Sequence, residues 1–338
     1  MPDCLLALET SCDETAAALC ALDGTVLASR VASQAEIHRQ WGGVVPEVAS
    51  RNHVLHVRPL VAQVLADAGV SLADVRAFAA TSGPGLVSSL LMGTSMAKAL
   101  AVAERKPYLA VNHMEGHLLS PFMGEQGPVR ACLALIVSGG HTMLVRVRDV
   151  ADYEILGRTR DDAAGEAFDK TAKMIGLPYP GGPEMDRASR GGNPTAYAFP
   201  RSMMEAGSFE FSFSGLKTAV LYELPKLDLE NPRTLADVCA SVQEAIVDVL
   251  VEKLVAAARH CRESLVTVSG GVSCNRRLRE KLTARCGRER LELLLARPEH
   301  STDNAAMIAF AAVQRFRRGD CSSVSADVDP NLPLITAA

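Results

Sequence analysis

A strand–turn–strand pattern occurs twice along this chain and limits the folds that it can adopt. The first copy is LLALETSCDETAAAL (residues 5–19) and the second is LALIVSGGHTMLVRV (residues 133–147). In each copy a short apolar run ends in a polar turn, and a second apolar run follows. Few letters are shared, but the repeated pattern predicts two related lobes with a cleft between them. Strand patterns alternate with helical patterns along the rest of the chain, which indicates an α/β protein.

The length of 338 residues also favours two lobes, because single domains usually span about 100–200 residues. We expect the first lobe in residues 1–125 and the second in residues 126–338. Residues 178–214 are rich in Gly, Pro, Ser, Met and Phe and show little periodicity. This segment is too long for a simple connection, so it is predicted to be a functional loop or an insertion.

The composition narrows the class of protein. A hydrophobic fraction of 48% with 22% charged residues is typical of globular chains and excludes wholesale disorder. No stretch approaches 18 uncharged apolar residues and the N-terminus lacks a basic segment, so we expect neither a membrane span nor a signal peptide. Nine cysteines without a CxxC pair favour reduced thiols in a cytoplasm. The net charge of −4 gives no overall signal for nucleic acid.

Two histidines in the motif HMEGH are candidates for metal ligands. His113 and His117 are four residues apart, so on a helix they share one face and can reach one metal. Asp303, in HSTDN, is the best candidate for a third ligand. Two histidines and one carboxylate suit iron(II), and also zinc or manganese. The alternatives are two surface histidines and an aspartate that stabilises a helix N-terminus.

The same motif does not fit a metalloprotease. Zinc proteases place the catalytic glutamate directly after the first histidine of HExxH, where this chain has Met114. Glu115 lies roughly 200° around the helix from His113, so it would point away from the metal. A peptidase is therefore disfavoured.

Three glycine-rich turns are candidates for phosphate or nucleotide binding. They are residues 138–142 (SGGHT), residues 269–273 (SGGVS) followed by Asn275, and residues 180–183 (PGGP) followed by Asp186. Glycine lets backbone N–H groups approach an anion closely. Each turn is a weak signal alone, because many hairpins have Gly-Gly turns. Three such turns in one chain are a more specific signal for phosphate or nucleotide binding than any one of them.

Two charged regions complete the candidates. The first turn carries Glu9, Asp13 and Glu14 without a nearby Lys or Arg, which suggests polar or metal-linked chemistry. Residues 259–297 hold ten Lys or Arg against four Asp or Glu. This basic run is either a solvated helix surface or a surface that contacts a phosphate backbone.

With these residues in view, the sequence resembles the bacterial TsaD family (also called YgjD or Gcp, of the Kae/Qri type), the tRNA N6-adenosine threonylcarbamoyltransferases. The resemblance extends along essentially the whole chain. It is carried by LALETSCDETAAAL, GGVVPEVASRNH, TSGPGLVSSLLMG, NHMEGHL, LIVSGGHTML, DDAAGEAFDKTAKMIGLPYPGGPEMDR, FSFSGLKTA, VSGGVSCNRRLR and STDNAAMIA.

The resemblance implies an actin/Hsp70/hexokinase-like (ASKHA) fold of two ribonuclease-H-like lobes with a central cleft. It implies one divalent metal per subunit, iron(II) foremost, at His113, His117 and Asp303. Asp13 and Glu14 fall in the first phosphate-side turn and are the candidate catalytic residues. The substrate and nucleotide contacts that it implies are Ile136, Val137, Ser138, Gly139, Gly140, Asp169, Gly182, Asp186 and Asn275.

The family reaction transfers a threonylcarbamoyl group from threonylcarbamoyl-AMP to the exocyclic amine of the adenosine 3′ of the anticodon, in tRNAs that read codons beginning with A. The implied partners are tRNA, a TsaB-like paralogous subunit, a TsaE-like ATPase and an upstream TsaC-type synthase, all in the cytoplasm. The alternatives are a small-molecule kinase on the same fold, the disfavoured peptidase and a regulatory Hsp70-like module.

Overall fold

The computed structural model describes residues 3–39, 41, 43–205 and 207–335. The chain forms two compact units. One comprises Met1–Val129 with Asp303–Ala338, and the other is Arg130–Thr302. The outermost ends of the two predicted lobes, residues 1–2 and 336–338, lie outside the described residues.

The first unit is a five-stranded sheet with helices packed on it, in the strand order β3-β2-β1-β4-β5. The strands β1, β4 and β5 are parallel, and β2 and β3 are antiparallel to their neighbours. Its elements are β1 (Cys4–Glu9), β2 (Glu14–Ala21), β3 (Val26–Ser33), α1 (Ala35–Arg39), α2 (Pro46–Ala68), β4 (Val75–Gly83), α3 (Val87–Glu104), β5 (Tyr108–Asn112), α4 (His113–Leu119) and α10 (Ala305–Arg317).

The central strand of this unit is apolar along its length because it is covered on both faces. Every residue of β1 is buried. Leu6 and Leu8 pack with residues of α2 and α3 in one core cluster. The apolar helix α10, in which every residue from Ala305 to Val313 is buried, packs against β1 and β2.

The second unit repeats this architecture, with a five-stranded sheet in the order β10-β9-β6-β7-β8. Its elements are β6 (Cys132–Val137), β7 (Thr142–Asp149), β8 (Asp152–Arg158), α5 (Ala164–Ile175), α6 (Gly181–Ala188), α7 (Ser214–Glu223), α8 (Pro232–Cys261), β9 (Leu265–Ser269), α9 (Arg276–Glu289) and β10 (Glu292–Leu295).

The two sheets have the same topology. In each, the first and second strands form an antiparallel hairpin, the third strand extends it, and the fourth and fifth lie parallel to the first on its other side. The duplication predicted from the two hairpins is therefore present at the level of whole sheets. The predicted class, an α/β protein of two similar units, is confirmed.

The unit boundary differs from the expected one. The sequence predicts a second lobe over residues 126–338, but Asp303–Ala338 groups with the first unit. The physical reason is the apolar surface of α10, which is buried against the first sheet. Asp303 therefore belongs to the same unit as the two histidines of HMEGH.

The segment 178–214 also differs in part from the expectation of a loop or an insertion. It contains the helix α6, which begins at Gly181, directly after Pro180. The carboxylate of Asp169 accepts a hydrogen bond from the N–H of Gly182 at 3.1 Å, which stabilises this helix start. The predicted PGGP turn is thus the N-terminus of a helix.

None of the helices in the part of the chain that the structure describes combines the length and apolar character that a membrane-spanning helix needs.

Candidate metal centre and glycine-rich turns

The candidate metal centre lies where three parallel strands of the first sheet end. The carboxyl ends of β1, β4 and β5 meet at one edge, because the three strands are neighbours and parallel. Glu9 ends β1, Thr81 lies near the end of β4, and His113 directly follows β5. This edge is where ligands bind in many sheets with parallel strands.

The structure brings together the three predicted metal ligands. The Nε2 atom of His117 lies 3.1 Å from Oδ1 of Asp303, and Nε2 of His113 lies 3.4 Å from the same oxygen. One ligand atom from each of the three residues falls within 4.8 Å of the others. The two imidazole rings are perpendicular, with centroids 4.8 Å apart. The i, i+4 spacing on α4 produces this convergence.

Two capped helices and one close contact position these ligands. Asn112 caps α4 by accepting a hydrogen bond from the N–H of Met114, and Asn304 caps α10 in the same way. Between the histidines, Gly116 lets α4 approach α10 closely, since an added Cβ would lie 2.7 Å from Ile308. His117 lies on α4 and Asp303 lies two residues before α10, so the contact between these two helices holds the two side chains near each other.

The donor set fits a divalent cation. Two imidazole nitrogens and one carboxylate oxygen are the ligand types of iron(II), zinc or manganese sites. Burial opposes the ionised form of Asp303, but the rings of His113 and His117 outweigh it and hold the pKa of the carboxyl well below its usual range. A cation bound among the three residues would take the place of the imidazole proton as the partner of this carboxylate.

Glu115 has a structural role at the back of the helix. Its carboxylate is almost fully buried and lies 2.9 Å from Nε of Arg315 on α10. The prediction that this side chain points away from the metal ligands is consistent with that pairing. The ion pair fastens α4 to α10, which sequence reasoning did not foresee.

Asp13 lies in the turn between β1 and β2, and Glu14 is the first residue of β2. One carboxylate oxygen of Glu14 accepts a hydrogen bond from Ser33 at 2.8 Å. The other is buried and has no hydrogen-bond partner among the described residues. Burial, reinforced by the charges of Asp13, Asp303 and Glu9, raises the pKa of Glu14 to about 7. This carboxyl group can therefore exchange a proton near neutral pH.

In the second unit, the turn between β6 and β7 has an open surface. Ile136 and Val137 are buried in β6 and can offer only backbone groups, whereas Gly139 and Gly140 are exposed. The N–H of Ser138 donates to the carbonyl of His141 at 2.8 Å, which closes the turn. No atom of the described residues lies within 4 Å of a Cβ added at Gly139 or Gly140.

The turn after β9 packs tightly at its first glycine. Gly270 has a φ of +89° and an added Cβ would lie 2.3 Å from the carbonyl oxygen of Val137, so no other residue fits there. Asn275 caps α9 by accepting from the N–H of Leu278, and its amide donates to Gln243 at 2.7 Å. Both ends of the Asn275 side chain therefore have local partners.

The remaining predicted nucleotide contacts lie around α6. Burial raises the pKa of Asp169, and the backbone N–H groups of Gly182 and Gly181 oppose this shift. On α6 itself, one carboxylate oxygen of Asp186 is buried and lacks a partner among the described residues. Asp186 therefore has a buried carboxylate oxygen that no described residue contacts by a hydrogen bond.

Part of the basic run is neutralised by acids that lie outside it, on α8. Helix α9 packs on α8, which places Glu244 beside Arg277 and Glu252 beside Arg285. Arg276 pairs with Glu280 within α9. Arg279 donates to two backbone carbonyls rather than to solvent. The local excess of positive charge is smaller than the sequence alone indicates.

Solved structures share this fold at low sequence identity. Full-length HypF matches with a TM-score of 0.63 at 11% identity, covering 93% of this chain and 55% of that chain. Component A of the (R)-2-hydroxyglutaryl-CoA dehydratase of Acidaminococcus fermentans matches with a TM-score of 0.53 at 13% identity, covering 92% and 99%. Two sheets of one topology place the protein in the actin/Hsp70/hexokinase-like class.

Sequence comparison identifies the family within that class. The model of the TsaD family, described as tRNA N6-adenosine threonylcarbamoyltransferase, matches residues 25–310. A protein of that name from Anaeromyxobacter sp. (strain Fw109-5) is 50% identical over 96% of this chain and 98% of its own length. Another, from Magnetococcus marinus, is 50% identical over 98% of this chain and 97% of its own length. The chain belongs to the TsaD family of tRNA N6-adenosine threonylcarbamoyltransferases.

Proposed function

We propose that this protein transfers the threonylcarbamoyl group from threonylcarbamoyl-AMP to the exocyclic amine of the adenosine 3′ of the anticodon, in tRNAs that read codons beginning with A. The observation that carries the proposal is 50% identity to a threonylcarbamoyltransferase over 96% of the chain. The convergence of His113, His117 and Asp303 supports it, because neither a kinase nor a regulatory module needs that set.

The reaction is an acyl transfer. The adenosine amine forms a bond to the carbamoyl carbon, the bond from that carbon to the phosphate oxygen breaks, and AMP leaves with the electron pair. The amine loses one proton, while negative charge builds on the carbamoyl oxygen and the phosphate. Among the described residues, the N–H groups of Gly139 and Gly140 have no acceptor, so we assign them to hold the AMP phosphate.

We propose iron(II) as the divalent metal, held by His113, His117 and Asp303. When bound, such an ion supplies Lewis-acid stabilisation of developing negative charge. We also propose that Asp186, through its free carboxylate oxygen, contacts the nucleotide, and that Ile136, Val137, Ser138, Asp169, Gly182 and Asn275 complete its site. The local partners of Asp169 and Asn275 mean that these two side chains would act mainly by shaping that site.

Glu14 is the candidate acceptor for the amine proton. Because a base must be ionised, and the pKa of Glu14 lies at about 7, we expect kcat to rise as pH increases through neutrality. Glu14→Gln should lower kcat by about 10²–10⁴-fold and remove this rise. The measurement is a pH profile of single-turnover transfer from pH 5.5 to 8.5. A variant that keeps the wild-type profile would assign the proton to another group.

The tRNA surface is expected to include part of the basic run. Arg276 is 45% exposed, and its ion-pair partner among the described residues is Glu280 of the same helix. We expect Arg276→Glu to weaken tRNA binding at low salt and to reduce the salt slope by about one unit or less. Arg279→Glu is avoided, since that side chain binds the backbone. If affinity and slope both stay unchanged over a salt titration, tRNA contacts another surface.

We further propose that the protein acts in the cytoplasm, where tRNA is modified. Family membership supports partnership with a TsaB-like paralogous subunit and a TsaE-like ATPase. It also supports supply of threonylcarbamoyl-AMP by a TsaC-type synthase. Transfer measured with the isolated chain, and then after addition of each partner, tests whether the partners are required.

The proposed reaction is tested by mass spectrometry of tRNA nucleosides from cells depleted of this protein. We expect threonylcarbamoyladenosine to disappear and to return when the wild-type gene is restored. Persistence of the modified nucleoside at its normal level after depletion would exclude the proposed reaction. If the protein were a kinase or a peptidase, its depletion would leave the level of this nucleoside unchanged.

A further inference from the structure

Glu9 lies behind the candidate metal ligands and faces one of them. It is the last residue of β1 and is fully buried. Its Oε2 atom lies 2.9 Å from Nδ1 of His113, the ring nitrogen opposite the one that faces Asp303. Burying a carboxylate without a hydrogen-bonding partner costs free energy, so the donors around Glu9 indicate its role.

Three donors hold this carboxylate in place. Oε1 accepts from the N–H of Ser11 at 2.5 Å, and Oε2 accepts from the hydroxyl of Thr81 at 2.6 Å as well as from His113. These donors come from the turn after β1, from β4 and from the residue after β5. Since an ionised carboxylate can only accept hydrogen bonds, the Nδ1 atom of His113 must carry a proton.

We infer that Glu9 is a positioning residue, which fixes His113 in the Nδ1–H tautomer and so leaves the Nε2 lone pair for a metal. The two histidines differ in this respect. The Nδ1 atom of His117 is buried and has no hydrogen-bond partner among the described residues. His113 is therefore the ligand whose ring orientation and tautomer are set before a metal binds. The inference rests on the metal site proposed above.

Glu9→Gln tests the inference with little change in shape. One end of the glutamine must accept from Ser11, which turns its NH₂ group toward His113. The imidazole would then accept at Nδ1 and carry its proton at Nε2, where the metal should bind. We expect zinc affinity to fall about 10–100-fold, measured by calorimetry with zinc alone on the full chain. Zinc serves as a probe without redox chemistry.

The control is Glu115→Gln, which changes an equally buried carboxylate on α4 that faces Arg315 instead of a ligand. We expect its zinc affinity to stay within about threefold of wild type. An equal loss in both variants would indicate a general disturbance of α4 and overturn the inference.

A spectroscopic readout is the long-range ¹H–¹⁵N spectrum of the zinc-loaded protein. The Nδ1–H signal of His113 should appear in the wild type and shift or vanish in Glu9→Gln.

A second variant covers the case in which Glu9→Gln does not fold. Glu9→Asp keeps the charge but shortens the side chain by one methylene, so its carboxylate no longer reaches Nδ1. We expect a similar loss of zinc affinity. Wild-type affinity in either folded variant would overturn the positioning role. Failure of the wild-type chain itself to bind zinc would instead overturn the metal site, and neither result depends on transferase activity.

Discussion

His117→Ala should abolish threonylcarbamoyl transfer, with a loss of about 10³-fold or more in rate. The Nε2 atom of His117 is one of three candidate ligand atoms, one each from His113, His117 and Asp303, that lie close together, and removing it leaves two. A catalytic metal contributes several kcal/mol to transition-state stabilisation, and each 1.36 kcal/mol is a factor of ten in rate. The same variant should lose bound metal, as measured by elemental analysis of the purified protein.

A matched control separates this effect from damage to the fold. His56 lies on α2, outside the three-ligand group, so His56→Ala should keep both metal and activity. His117→Ala should still show the circular dichroism of the wild type, because the sheet of the first unit is built without the metal ligands. Full metal occupancy in folded His117→Ala would contradict the assignment of the site.

The repeated sheets could be predicted because local sequence patterns determine them. The apolar hairpins at residues 5–19 and 133–147 are continuous in sequence, and each became the first two strands of a sheet. The parallel strands β4 and β9 follow the same logic, since each is a short apolar run that ends at glycine. These strands could therefore be predicted from residues that are close together in the sequence.

The unit boundary could not be predicted in this way. Helix α10 follows the second sheet in sequence but is buried against the first. An apolar helical pattern shows that a surface will be buried and does not show which sheet buries it. The helix α6 was missed for a related reason. Its start at Gly181 is stabilised by Asp169, which is distant in sequence.

For the site, spacing predicted that His113 and His117 converge but not what supports them. His113 and His117 are only four residues apart, so the helical period is enough to bring them together. The hydrogen bonds from Thr81 and His113 to Glu9 join the ends of three strands. Only the order of strands in the sheet reveals those contacts. The partial neutralisation of the basic run has the same explanation, because the acids beside Arg277 and Arg285 lie on α8.

Gly139→Val should weaken binding of AMP by at least about tenfold, or about 1.4 kcal/mol, while the protein stays folded. The turn at Gly139 is exposed, and no atom of the described residues would meet an added Cβ. A valine side chain would therefore cause no clash within the protein. It would occupy the space that an AMP phosphate needs to reach the backbone N–H groups of the turn. Calorimetry with AMP measures the loss.

Gly287→Val is the matched control, because an added Cβ at Gly287 on α9 would also meet no atom of the described residues within 4 Å. Gly287 lies outside the glycine-rich turns. It should bind AMP as the wild type does. Metal content should be unchanged in both variants, since Gly139 belongs to the second unit and the metal ligands to the first. Wild-type AMP affinity in folded Gly139→Val would mean that residues 138–142 serve only to join β6 to β7. The phosphate would then have to bind at another turn, such as the one that begins at Gly270.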